Sequence, residues 1–142
     1  MRGIRSNIEI NNKAGYDIDL NSVRKIVEAF CRVYKINKNK NISIAFVSGA
    51  EMRKLNSVYR GIDKTTDVLS FEGQGDFLGE IVIDCGQIKQ QAVDFNNSAE
   101  DELIFILAHG LLHLIGYDDK TEKARLEMIR QGEKFIKKLK KL

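Results

Sequence analysis

Leu103-Ile104-Phe105-Ile106-Leu107-Ala108-His109-Gly110-Leu111-Leu112-His113-Leu114-Ile115-Gly116-Tyr117-Asp118-Asp119 is the stretch from which the rest of the chain is read. From Leu103 to Ile115 it is apolar almost all the way round, which predicts a central helix covered by other elements. The run is shorter than a membrane span and is broken by His109, Gly110 and His113. It also holds both histidines of the protein, one helical turn apart, so their imidazoles project from one face and can converge on one ion. Gly116 stands where a helix can end with a glycine in the left-handed region, folding the chain back to bring Asp119 alongside as a third ligand. The competing reading is a pair of core histidines. Two adjacent buried rings would each need polar partners, which Leu and Ile neighbours cannot provide, so the spacing favours a metal.

His109, His113, Gly116 and Asp119 reproduce the H-x-x-x-H-x-x-G-x-x-ligand layout of helix-plus-turn zinc enzymes. Three protein ligands leave one coordination position open, and a catalytic zinc in such a site lowers the pKa of its water from ~15.7 to ~7. A hydrolase is the expected class. The peptidase form of the motif has glutamate directly after the first histidine as general base; here that position is Gly110, so a peptidase is the weaker expectation.

The chain has 142 residues, 43% hydrophobic and 30% charged, which fits one soluble domain over 1–142 with a core that needs no disulfide. A net charge of +3 permits a polyanionic partner without arguing for one. Cys31 and Cys85 are far apart and outside any C-x-x-C pattern, as expected of packed thiols in a reducing compartment. Met1 to Ile10 lacks the apolar region of a signal peptide, so a cytoplasmic protein without a membrane segment is expected.

Outward from the histidine stretch, the pattern predicts βαβαβ-β-α-α-α. Alternation at Ile4–Ile10 gives a first strand, and apolar residues at three- and four-residue intervals give a helix over 20–35, capped by Asp19 or Asn21. Ile42, Ile44 and Phe46 mark a second strand, and Ser48-Gly-Ala-Glu51 has capping-box spacing for a helix running to about Tyr59. A polar turn over 60–66 leads into a strand at Asp67–Phe71, and the turn at 72–76 makes a hairpin with a strand at Leu78–Asp84. A short helix over Gln87–Phe95 precedes the histidine helix, which Ser98 caps, and Thr121 caps the last helix. That helix ends in Lys134, Lys137, Lys138, Lys140 and Lys141, read as a solvated end whose cations suit the helix dipole, ahead of an RNA-binding tail. The fold class is α+β: one domain with a mixed, roughly four-stranded sheet, helices packed on it and the metal-binding helix at its centre.

Four segments carry a family resemblance: Leu55-Asn-Ser-Val-Tyr-Arg-Gly61, Asp63-Lys-Thr-Thr-Asp-Val-Leu-Ser-Phe71, Leu78-Gly-Glu-Ile-Val-Ile83 and His109-Gly-Leu-Leu-His-Leu-Ile-Gly-Tyr-Asp118. In this order, over most of the chain, the protein resembles the YbeY-type endoribonucleases, metal-dependent rRNA maturation factors of bacteria. The resemblance implies one bound zinc per chain, cleavage of single-stranded RNA, and a role with the ribosomal small subunit in rRNA processing and quality control.

Three positions depart from the family pattern. Asp119 stands where histidine usually ends the motif, Thr65 where proline is usual, and Glu80 where aspartate is usual. A carboxylate in place of an imidazole hardens the site and removes one unit of charge, so it suits other divalent ions as well as zinc. Arg60 matches the family's arginine; it can grip a phosphate bidentately and neutralise developing charge, whereas without the resemblance it reads as a surface arginine paired with Asp63 or Asp67. Lys64 is a further expected phosphate contact. Glu80, expected as a catalytic residue, and Asp118 are candidates for a base or for orienting an imidazole. The rival functions are a non-catalytic ribosome-assembly factor that binds RNA around a structural metal, and a metallopeptidase.

Overall fold

Side-chain oxygens of Asp19, Ser48, Asp84, Ser98 and Thr121 start the five helices found among the described residues, each accepting a backbone N–H from the first turn. The structure is a computed structural model that describes residues 7–141. Its elements in chain order are β1 (Ile8–Asn12), α1 (Leu20–Val33), β2 (Asn41–Val47), α2 (Gly49–Arg60), β3 (Val68–Glu72), β4 (Phe77–Asp84), α3 (Cys85–Asp94), α4 (Ala99–Leu114) and α5 (Glu122–Lys140). This is the expected order of elements in one α+β domain. The beginning of the expected first strand, residues 4–6, lies outside the described residues. Helix α3 starts two residues earlier than expected because Asp84, at the end of β4, accepts from the amides of Gly86 and Gln87.

The sheet order is β1-β2-β4-β3, with β1·β2 and β2·β4 parallel and β3·β4 antiparallel. The hairpin was legible, whereas the insertion of β4 between β2 and β3 was not. It leaves β3 as an edge strand. Along β2 and β4 side chains alternate between two faces. Ile42, Ile44, Phe46, Ile81 and Ile83 join the larger core with Phe30 of α1, Leu107, Leu111 and Leu112 of α4, and Met128 and Phe135 of α5. Ala45, Val47 and Val82 face the other way, with Leu69, beneath Met52 of α2. Each fully buried aliphatic or aromatic side chain contributes about 1.5–3 kcal/mol, so the α4 side dominates the hydrophobic stabilisation.

Helix α4 is central, as its all-round apolar surface predicts. It lies close to the sheet because residue 110 has no side chain: a Cβ there would stand 3.0 Å from Ile81 Cγ2 and 3.3 Å from Ser70 Oγ. The Ser70 hydroxyl donates to the Gly110 carbonyl at 3.2 Å, tying the helix to β3. Among the described residues no helix is long and apolar enough to cross a membrane.

Candidate metal centre

Because α4 carries His109 and His113 four residues apart, their rings sit side by side, with centroids 4.8 Å apart and planes at 83°. The helix ends at Leu114, and the chain reverses through Gly116, whose φ of +107° lies in the region that favours glycine. Amides of Gly116 and Tyr117 donate to the carbonyls of His113 and Leu112 at 3.1 and 3.0 Å, satisfying the end of the helix. Asp118 then accepts from the Lys120 amide at 3.0 Å. The turn brings Asp119 Oδ2 to 3.9 Å from His113 Nε2.

One ligand atom from each of His109, His113 and Asp119 lies within 4.8 Å of the other two. The group can hold a metal ion. Two imidazole nitrogens and one carboxylate are an ordinary three-residue donor set, and the tautomer of His113 fits that use. Its Nδ1 lies 3.1 Å from the Tyr117 carbonyl, which can only accept, so Nδ1 donates there and Nε2, on the side of Asp119, is the nitrogen left to bind an ion. Burial pushes His109 below the ordinary imidazole range and the neighbouring His113 adds to this, while Asp119 and Asp67 oppose it. Neutral imidazole is the form that ligates metal.

The two histidines and Asp119 line a cleft of about 420 Å3, with Arg60, Thr66, Asp67, Ser70, Glu72 and Phe105 among its other walls. Arg60 is the last residue of α2, and Gly61 beyond it adopts φ +69°, turning the chain away. Arg60 is not paired with Asp63, whose carboxylate is engaged by Arg53 at 2.7 and 3.1 Å. Asn56 of α2 donates to the Lys64 carbonyl at 2.9 Å, and Thr65 Oγ1 donates to Asp84 Oδ2 at 3.0 Å. The threonine at the family's proline position thus joins the loop before β3 to the cap of α3.

Several expected site residues are placed elsewhere. Glu80 does not line this cleft; it accepts from Ser43 Oγ at 3.0 Å and borders a groove beneath α2, on the other side of the sheet. The pleat is the reason, since Glu80 shares the face of Val82 while Ile81 and Ile83 face α4. Lys64 is not among the residues lining the cleft. The orienting partner of His113 is the Tyr117 carbonyl, not Asp118 or Glu80. Sequence reasoning missed Thr66, Asp67, Ser70 and Glu72 as cleft residues; the first three lie in the Asp63–Phe71 segment that carries the family resemblance, but no spacing ties them to the histidines. Position 110, where a peptidase would hold its base, points at Ile81 and Ser70.

The sequence model of the family described as "Endoribonuclease YbeY" matches residues 7–140. The chain is 43% identical to the endoribonuclease YbeY of Mycoplasmopsis synoviae over 116 residues, 75% of this chain and 74% of that protein. It is 38% identical to the endoribonuclease YbeY of Nautilia profundicola over 135 residues, 93% of this chain and 91% of that protein. Its fold is similar to the solution structure of TM1509 from Thermotoga maritima, with a TM-score of 0.67 and 31% identity over 91% of this chain and 86% of that one.

Proposed function

The chain belongs to the endoribonuclease YbeY family, and from that premise we propose that it is a single-strand-specific, metal-dependent endoribonuclease of small-subunit rRNA maturation and ribosome quality control. It is a hydrolase, acting in the cytoplasm with residues 1–142 as one domain. The observation that carries the reading is the meeting of His109, His113 and Asp119 with Arg60 in one cleft, a cation site beside a guanidinium.

His109 Nε2 or Nδ1, His113 Nε2 and an Asp119 carboxylate oxygen would hold the ion, proposed to be zinc, one per chain. When bound it supplies Lewis acidity and makes water acidic enough to serve as a nucleophile near neutral pH. The Tyr117 carbonyl holds the His113 ring in place. Arg60 binds a phosphate of the RNA by parallel N–H···O bonds and neutralises charge that grows on its oxygens in the transition state. A cleft of about 420 Å3 is the size of a small-ligand site, so it admits an unpaired nucleotide.

The test is metal analysis of purified protein followed by cleavage of single-stranded rRNA fragments with zinc, nickel, manganese or magnesium restored. Arg60→Glu should abolish cleavage while metal content stays near wild type, and His113→Ala should lose both. Loss of metal in Arg60→Glu refutes the role given to Arg60. No cleavage with any restored ion refutes the enzyme and favours a non-catalytic assembly factor. Product ends separate two routes: 2′,3′-cyclic phosphate marks attack by the ribose hydroxyl, and a 3′-hydroxyl with a 5′-phosphate marks attack by water.

A further inference from the structure

Tyr59 directly precedes Arg60 on α2, yet the two side chains serve different cavities, because successive helical residues are rotated by about 100°. Arg60 lines the metal cleft, while Tyr59 borders a neighbouring groove of about 310 Å3 with Lys13, Glu51, Leu55, Phe71 and Glu80. Tyr59 is 65% exposed, so it is not a core residue, and Val58 beside it is 67% exposed. A tyrosine this exposed would ordinarily sample several rotamers. Here Phe71 braces it, ring edge to ring face, with centroids 5.2 Å apart and planes at 68°. Phe71 is itself anchored, packing against the cluster beneath α2.

Strand β3 joins the two cavities. Ser70 and Glu72 line the metal cleft, and Phe71 between them points to the opposite face, under Tyr59. Since β3 is an edge strand, a single-stranded polynucleotide crossing it can reach both cavities without obstruction from another strand.

We propose that Tyr59, braced by Phe71, is a stacking platform for an unpaired nucleobase next to the phosphate held at Arg60. The proposal rests on the endoribonuclease reading for the identity of the polymer, and the exposed, braced ring of Tyr59 supports it independently. An oriented aromatic face suits any base, because every base has a π-face; Glu51 and Glu80 outnumber Lys13 in the groove, so the braced ring carries the contact and the backbone charge is left to Arg60. The platform makes affinity tolerant of sequence but dependent on bases being unstacked, which is a physical source of preference for single strands.

The experiment compares Tyr59→Ala, Tyr59→Leu, Tyr59→Phe and Tyr59→Trp in two assays: steady-state cleavage by the metal-loaded enzyme, and quenching of 2-aminopurine in a single-stranded 2′-deoxy oligonucleotide. The exposed position makes all four variants compatible with folding, which circular dichroism checks. Tyr59→Ala should raise KM by about 5- to 150-fold with kcat within about twofold, and should abolish the quenching. Phenylalanine and tryptophan should restore both, and leucine, which keeps apolar area without a π-face, should restore neither. Unchanged KM in Tyr59→Ala, or full function in Tyr59→Leu, overturns the platform. If wild type cleaves no RNA, the endoribonuclease reading fails by itself, and the platform is then judged by the quenching alone.

Discussion

Replacing Gly110 and Gly132 by alanine, one at a time, asks the same question of two helices and should give answers of opposite sign. In both α4 and α5 the substitution removes a flexible residue from a helix interior, a gain of about 0.8–1 kcal/mol. At Gly132 a Cβ would meet nothing within 4 Å, so the gain should appear undiminished. At Gly110 the new Cβ would stand 3.0 and 3.3 Å from two carbons of Ile81 and 3.3 Å from Ser70 Oγ. Ile81 is fully buried between its neighbouring strands and α4, so it has no open space to move into. Overpacking of this kind costs about 1–3 kcal/mol. Gly110→Ala should therefore be destabilised by up to about 2 kcal/mol, and the two variants should differ by about 1–3 kcal/mol, with the propensity gain cancelling in the difference. Urea denaturation of the metal-free proteins measures this directly. A metal titration should show weaker binding only in Gly110→Ala, because lifting α4 off β3 and β4 also moves His109 and His113. Equal stability of the two variants, or a more stable Gly110→Ala, would refute the close approach of α4 to the sheet.

Asp119→Ala should lose metal affinity and Asp119→His should keep or tighten it; unchanged affinity in the alanine variant, read by competition with a metal-sensitive dye, removes Asp119 from the site. Ser98→Ala should cost about 1 kcal/mol in urea denaturation, because the Ser98 hydroxyl accepts from the Asp101 amide at the start of α4. A loss below about 0.3 kcal/mol would mean that solvent caps the helix equally well. Burial pushes the Cys85 thiol up to about 11. The folded state then keeps a proton that the unfolded chain releases, so this contribution to stability is present at neutral pH and is lost as pH rises from the ordinary thiol range towards about 11. Thiolate absorbance of wild type against Cys85→Ser should show no Cys85 signal near pH ~8.5, and a signal there contradicts its burial.

How much was legible follows from how far each interaction reaches along the chain. The caps at Ser48, Ser98 and Thr121, the choice of Asp19 or Asn21 for the first helix, the β3–β4 hairpin and the central place of α4 were read from residues a few positions apart, and the structure selects Asp19. Asp119 came within reach of the histidines for the same reason, through the turn at Gly116. Backbone groups leave no mark in side-chain patterns, so the Tyr117 carbonyl was missed as the partner of His113 and Asp118 was considered in its place.

By itself, then, the sequence determined the elements, the spacing of the two histidines and the turn that returns Asp119, since these rest on hydrogen bonds and side-chain periods within one or two helical turns. Only the tertiary structure decided that β4 lies between β2 and β3, that Arg60 and Asp67 share the cleft with the histidines, and that Glu80 does not. Alternation along β4 separates its residues into two sets but does not say which set meets α4. That choice is made when the parallel pairing with β2 and the packing of α4 against Ile81 and Ile83 bury the larger apolar face.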